Sequence, residues 1–202
     1  MQQFFCSLPF GKGWGWASYF YFRRMNSIQL HDKKFIPYIS AEKIQQRILE
    51  LCAQINAELK NEKPLFLPVL NGSFMFAADL MKHVTNPSEI SFVKIASYQG
   101  TTSTGNVKTL IGLDVPVKDR LVIIVEDIVD TGKTLTEFLP VLRGYMPREI
   151  KIATLLSKPE ALVSPMKLDY VGFEVPNKFL VGYGLDYDGL GRNLNDIYQL
   201  EN

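Results

Sequence analysis

Residues 121–134, LVIIVEDIVDTGKT, constrain the fold more than any other part of this chain. Five apolar residues rich in Val and Ile run into two adjacent carboxylates, Glu126 and Asp127. A third carboxylate, Asp130, opens a short loop of Thr131, Gly132, Lys133 and Thr134. Unbroken hydrophobicity of this kind marks a parallel strand buried on both faces. A loop of this composition, followed by a helix, makes an anion site, because free N–H groups and the helix dipole converge on it. The acidic pair beside it suits ribose hydroxyls or a hard cation. Anion and polyol chemistry side by side point to a sugar phosphate.

Two other readings of the segment fail on physical grounds. Gly132-Lys133-Thr134 resembles the end of a P-loop, but that motif places a Gly where this chain has Asp127. A carboxylate there would repel the phosphates the loop must cradle. A merely solvated acidic turn would crowd three carboxylates with no ligand to relieve their repulsion.

The rest of the chain fits one α/β domain. At 202 residues it is long enough to bury a substantial core. With 22 Lys+Arg against 21 Asp+Glu, the net charge of +1 gives no general attraction to nucleic acid or to a membrane surface. Cys6 and Cys52 lie far apart with no metal-ligand spacing, so neither a disulfide framework nor a zinc site is expected. Cys52 falls on the apolar face of an expected helix and reads as a core thiol. No apolar run is long enough to span a bilayer, and a cytoplasmic protein is expected. Residues 1–24 are crowded with aromatics and lack the features of a secretion signal. Residues 1–33 are read as an N-terminal extension, poorly ordered or the product of an upstream start as far as residue 24. A domain is expected over 34–202.

From Phe35 onward strands and helices alternate. A helix capped by Ser40 is expected to about Lys60, with Ile44, Ile48, Leu51, Ile55 and Leu59 on its apolar face. A strand over 65–70 follows, and Pro68 within it implies an edge or a non-bonded position. A helix over 73–83 is expected to turn Phe74, Ala77, Ala78 and Met81 inward. Next come a strand over 90–97, a flexible loop over 99–107, the central strand over 121–126 and a helix over 133–145 kinked or split at Pro140. Strands over 150–156, 170–174 and 179–182 complete the pattern. Such alternation gives a mostly parallel sheet covered on both faces, with ligands at the carboxyl ends of its strands.

Residues 125–135 closely resemble the 5-phosphoribosyl-1-pyrophosphate (PRPP) binding motif of type I phosphoribosyltransferases. The likeness extends over most of the chain beyond residue 34 to the hypoxanthine-guanine phosphoribosyltransferase family. Residues 70–76, LNGSFMF, are similar to the family's pyrophosphate loop. Ser97-Tyr98, followed by Ser103-Thr104-Gly105, is similar to its mobile lid, and residues 155–158, LLSK, to the strand end carrying its purine-binding Lys. Residues 171–187 are similar to its C-terminal hood. The resemblance implies the type I phosphoribosyltransferase fold: α/β, a mostly parallel central sheet flanked by helices, with a small hood subdomain. It implies purine salvage by transfer of ribose 5-phosphate from PRPP to N9 of hypoxanthine or guanine, giving IMP or GMP and pyrophosphate. Mg²⁺ is the implied cofactor, PRPP and a 6-oxopurine the implied partners, and a homodimer or homotetramer the implied assembly.

Physical roles follow for individual residues. Thr131, Gly132, Lys133 and Thr134 are expected to hold the 5′-phosphate, Lys133 either by its ammonium or by its N–H alone. Glu126 and Asp127 are expected at the ribose hydroxyls, directly or through Mg²⁺. Asp130 is the expected general base toward the purine N7, with capping of the following helix as its plainer role. Lys158 is expected to donate to O6, and Phe179 to stack on the base or simply pack in the core. Backbone carbonyls around Leu180 and Asp186 are expected at a guanine 2-amino group. By resemblance Asp186 is also a metal ligand, Arg192 joins Asn71 and Gly72 around pyrophosphate, and that loop crosses a cis peptide. Two residues depart from the family. Asn71 stands where many relatives have Lys or Arg, and Asn193 where some have an acid. A PRPP-sensing regulator of the same fold is the alternative function, although the chain lacks the added DNA-binding domain or basic face such a protein would use.

Overall fold

The computed structural model describes residues 26–97 and 108–201. Its centre is a parallel sheet of five strands, in the order β4-β3-β7-β8-β9. In chain order the strands are β1 (Ile28–Leu30), β2 (Lys33–Ile39), β3 (Leu65–Pro68), β4 (Glu89–Ile90), β5 (Lys94–Ser97), β6 (Lys108–Ile111), β7 (Leu121–Val129), β8 (Glu149–Ser157), β9 (Tyr170–Glu174), β10 (Leu180–Val181) and β11 (Ile197–Leu200). The helices are α1 (Ala41–Glu58), α2 (Phe74–His83) and α3 (Lys133–Gly144).

Successive side chains of β7 point to opposite faces, and each face has its own cover. Leu121, Ile123 and Val125 pack with Ile44, Ile48, Leu51 and Ile55 of α1 and with Phe76 and Leu80 of α2. Val122 and Ile124 pack with Leu135, Phe138 and Leu142 of α3. This two-sided burial explains the unbroken apolar run. Truncating Ile124 to Ala would cost about 2–5 kcal/mol.

The helix α1 starts where Ser40 accepts a hydrogen bond from Lys43 N, and all five expected apolar positions are buried. Cys52 is buried with them, and burial pushes its thiol up to about 11. In α2 the inward face is Phe76, Ala77 and Leu80, whereas Phe74 and Ala78 are exposed. The helix is apolar nearly all round, so two faces offset by one residue share the same period. Docking of Phe76 and Leu80 against α1 and β7 selects between them. Helix α3 runs unbroken through Pro140 rather than splitting there.

Three further elements differ from expectation. Pro68 is not on an edge, because β3 lies between β4 and β7. Its missing N–H falls on the side where β4 has already ended, and its carbonyl there still accepts from Val93 N. Residues 90–97 form two strands. Glu89–Ile90 extends the central sheet, and Lys94–Ser97 pairs antiparallel with the unforeseen β6. The central strand continues through the acidic pair to Val129. The loop expected over 99–107 lies outside the described residues, and so does Tyr98.

A second sheet, β1-β2-β11-β10, is antiparallel and forms the hood. It joins both ends of the described chain and begins at Ile28, upstream of Lys34. Residues 171–174, expected within the hood, belong to β9 at the edge of the central sheet instead.

Candidate active site

Glu126, Asp127 and the loop after β7 surround a cavity of about 290 Å³, lined by ten consecutive residues, Glu126 to Leu135. Gly132 precedes α3 with φ 74°, so the chain turns sharply into the helix. Thr131 and Lys133 are exposed, and Lys133 N donates to Thr131 Oγ1 at 3.3 Å. Thr136 closes the turn, its hydroxyl donating to Gly132 O at 3.0 Å. The exposed N–H end of α3 therefore faces the cavity.

The acidic pair is electrostatically uncomfortable. Glu126 is 6% exposed. Burial, with the neighbouring Asp127, raises its carboxyl well above the usual range. Burial also raises Asp127, opposed by hydrogen bonding from Ile128 N at 2.9 Å and by the Arg192 charge. Donors or a cation would relieve both groups.

Asp130 and Lys158 come from different strands. Val129 pairs with Ser157 in parallel register, so the next residue of each strand emerges beside the other. Lys158 N donates to Val129 O at 2.9 Å, and Lys158 Nζ meets Asp130 Oδ2 at 2.7 Å. The ammonium is largely buried and the carboxylate half-exposed. A donor and an acceptor thus sit together at the strand ends.

The loop at residues 70–72 packs against Asp127 at the edge of this cavity. The Leu70–Asn71 peptide is cis. A Cβ on Gly72 would fall 1.6 Å from Asp127 Oδ2, so any side chain there would displace the Asp127 carboxylate. On the hood side, Arg192 pairs with Asp186 at 2.7 Å and donates to Gly184 O at 2.7 Å. Asp186 also accepts from Gly189 N. Asp186 stands near enough to Asp127 to push the Asp127 carboxyl further up. Among the described residues, no group of three or more His, Cys, Asp or Glu side chains is arranged to hold a metal ion.

Phe179 is 45% exposed, which separates it from core packing. Its ring lies edge-on to Tyr187, with centroids 5.8 Å apart, and Lys33 Nζ stands 4.6 Å from the Tyr187 ring. Leu180 is in the edge strand β10. Phe179 O accepts from Leu200 N, so the alternating pattern turns the Leu180 amide and carbonyl toward the open edge. Ser97 ends β5, and nothing is described of its side chain. Lys33 and Tyr187 were not singled out in the sequence. Their proximity depends on pairing of the hood strands from the two ends of the chain, which leaves no local signal.

The chain matches the phosphoribosyl transferase domain family over residues 39–188. It is 44% identical over 157 residues to the hypoxanthine-guanine phosphoribosyltransferase of Bacillus subtilis, covering 77% of this chain and 87% of that one. The corresponding protein of Lactococcus lactis is 43% identical, with 77% and 85% coverage. The solved hypoxanthine phosphoribosyltransferase of Staphylococcus aureus superposes with a TM-score of 0.75 at 34% identity, covering 82% of this chain and 90% of that one. The fold is thus that of a type I phosphoribosyltransferase. The chain belongs to the hypoxanthine-guanine phosphoribosyltransferase family. These matches are to enzymes, and the regulator reading gains no support from them.

Proposed function

We propose that this enzyme transfers the 5-phosphoribosyl group of PRPP to N9 of hypoxanthine or guanine, giving IMP or GMP and pyrophosphate in purine salvage. The observation that carries this reading is the Asp130–Lys158 pair at 2.7 Å beside the phosphate cavity. In a 6-oxopurine protonated at N7, O6 accepts and N7–H donates, side by side. Lys158 supplies the donor and Asp130 the acceptor. Asp130 takes the N7 proton as N9 forms its bond to C1′ and pyrophosphate leaves. The N–H groups of residues 131–134 hold the 5′-phosphate, with Lys133 contributing at least its own N–H. Asn71, Gly72 and Arg192 hold pyrophosphate, Phe179 stacks on the base, and the backbone around Leu180 and Asp186 faces its 2-substituent. Ser97 and Tyr98 belong to the lid.

The donor set fits Mg²⁺ at Glu126 and Asp127. Both carboxylates are raised by burial, and no side-chain hydrogen bond reaches Glu126 among the described residues. Mg²⁺ commonly takes one or two carboxylates together with substrate oxygens and water, and would there neutralise charge on the substrate. Asp186 joins only by giving up its pairing with Arg192. A cytoplasmic homodimer or homotetramer accompanies this reading. The exposed apolar side chains of Ile90 and Phe92 support the assembly. Among the described residues no helix is long and apolar enough to cross a membrane.

The test is pyrophosphate release from PRPP with hypoxanthine, with and without Mg²⁺. Release that needs both the base and the metal is expected. Release without Mg²⁺ would remove the metal from the reading, and no release with any purine would remove the reading.

A further inference from the structure

Tyr183 has no part in the transfer chemistry, yet it is buried in the hood turn and bonded across to α2. It is 2% exposed and adopts φ 49°, in the left-handed region that side chains seldom occupy. Its phenol donates to Asp79 Oδ2 at 2.5 Å. Asp79 lies on α2, the helix that begins directly after the pyrophosphate loop. Gln45 of α1 donates to the same oxygen at 2.6 Å, and Lys82 pairs with the other at 2.7 Å. Burial pushes the Asp79 carboxyl up. The bonds from Lys82, Tyr183 and Gln45 outweigh burial and leave it below its ordinary value.

The next residue makes the anchor consequential. Gly184 has φ 100°, and a Cβ there would fall 2.0 Å from Gly72 O. Gly72 in turn lies against Asp127. The hood turn, the pyrophosphate loop and the acidic strand are stacked with no room for a side chain between them. Arg192 is tied to Gly184 twice, by its guanidinium at 2.7 Å and by its carbonyl at 3.0 Å. Whatever fixes Gly184 on Gly72 therefore also fixes Arg192 relative to the pyrophosphate loop.

We infer that Tyr183, through its hydrogen bond to Asp79, is the positioning residue that clamps the hood turn onto the pyrophosphate loop and sets the gap in which Gly72 and Arg192 grip the leaving pyrophosphate. The inference rests on the phosphoribosyl-transfer reading above and deepens it. The clamp acts on the pyrophosphate half of PRPP and little on hypoxanthine, because Asp130 and Lys158 follow β7 and β8, Phe179 is held by Leu200 of β11, and hypoxanthine has no 2-substituent to meet the backbone around Asp186.

Tyr183→Phe keeps the ring and loses the bond. Removing a hydrogen bond to a charged group is expected to raise the KM for PRPP and the inhibition constant of inorganic pyrophosphate about tenfold, with the KM for hypoxanthine changed less than about twofold. Gln45→Ala removes another donor from the same Asp79 oxygen, but from α1. It is expected to lower the melting temperature and leave the KM for PRPP unchanged. Asp79→Asn keeps an acceptor for the phenol and is expected to retain the affinity that Asp79→Ala loses, which carries the test if Tyr183→Phe does not fold. An unchanged KM for PRPP in Tyr183→Phe, equal losses for both substrates, or equal behaviour of Asp79→Asn and Asp79→Ala would overturn the inference. Absence of turnover in the wild type would instead strike the functional reading. Calorimetry of inorganic pyrophosphate binding to wild type and Tyr183→Phe would then still decide the clamp.

Discussion

The proposed phosphate end and the proposed base end of the site are built in opposite ways. The phosphate cavity is lined by ten consecutive residues at one strand-to-helix junction. The base end draws Lys158 from the end of β8 and Phe179 and Leu180 from the region of β10, where Lys33 of β2 stands over the Phe179 ring. The first is set by local backbone geometry and needs only β7 and α3 to be in place. The second exists only after β10 has paired with β11, and β11 with β2, bringing the two ends of the described residues together. Affinity for the phosphate should therefore survive changes that erase base selection, and the reverse should be hard to achieve.

The largest effect is expected where the two ends meet. Asp130→Asn keeps shape and hydrogen bonding but cannot accept the N7 proton. General-base catalysis is worth about 10²–10⁴-fold, so kcat should fall by that order while the KM for PRPP changes little. A change confined to PRPP affinity would move Asp130 to the phosphate side of the comparison.

A smaller loss is expected at the base end alone. A hydrogen bond to a charged group is worth roughly 1.5–3 kcal/mol, or one to two decades. Lys158→Gln should lower kcat/KM for hypoxanthine and guanine by that amount and narrow the gap to adenine, because an amide both donates and accepts. The preference for 6-oxopurines would be unchanged if backbone donors read O6 instead.

A pH effect should belong to the phosphate end. Burial raises the folded-state pKa of Glu126 above its ordinary value of about 4.3, so the folded protein holds this proton more tightly than the unfolded chain. The sign follows: Glu126 costs stability progressively as pH rises from that ordinary value through the raised one. Glu126→Gln should stabilise the ligand-free protein at neutral pH, with the advantage over wild type vanishing as the medium becomes acid. Denaturant titrations across that window, showing a constant difference between the two proteins, would deny the burial effect.

The smallest effect is expected outside both ends. The hood sheet begins at Ile28, so deleting residues 1–24 should leave turnover and the melting temperature nearly unchanged. A marked loss of stability would show that this segment packs on the domain.

Legibility in the sequence followed the same division. The strand β7 and its loop could be read because buried parallel strands are apolar on both faces and the ligand groups follow without a gap. The helix α1 could be read because polar residues separate its apolar positions, leaving one face. The inward face of α2 could not, because its residues are apolar nearly all round and Phe76 and Leu80 are selected only by contact with α1 and β7. The short strands β1, β6 and β11 carry too few residues to show a period. The meeting of Asp130 with Lys158 depends on the parallel register of Val129 with Ser157. The bond between Asp79 and Tyr183 depends on the hood folding back on α2. Neither contact leaves a trace in local spacing.

The most direct measurement is the set of specificity constants for hypoxanthine, guanine, xanthine and adenine at saturating PRPP and Mg²⁺. Turnover with hypoxanthine or guanine, and little or none with adenine, is the result expected from a donor at Lys158 beside an acceptor at Asp130. Equal use of adenine, or no turnover with any of the four, would contradict the assignment of this site to 6-oxopurine phosphoribosyl transfer.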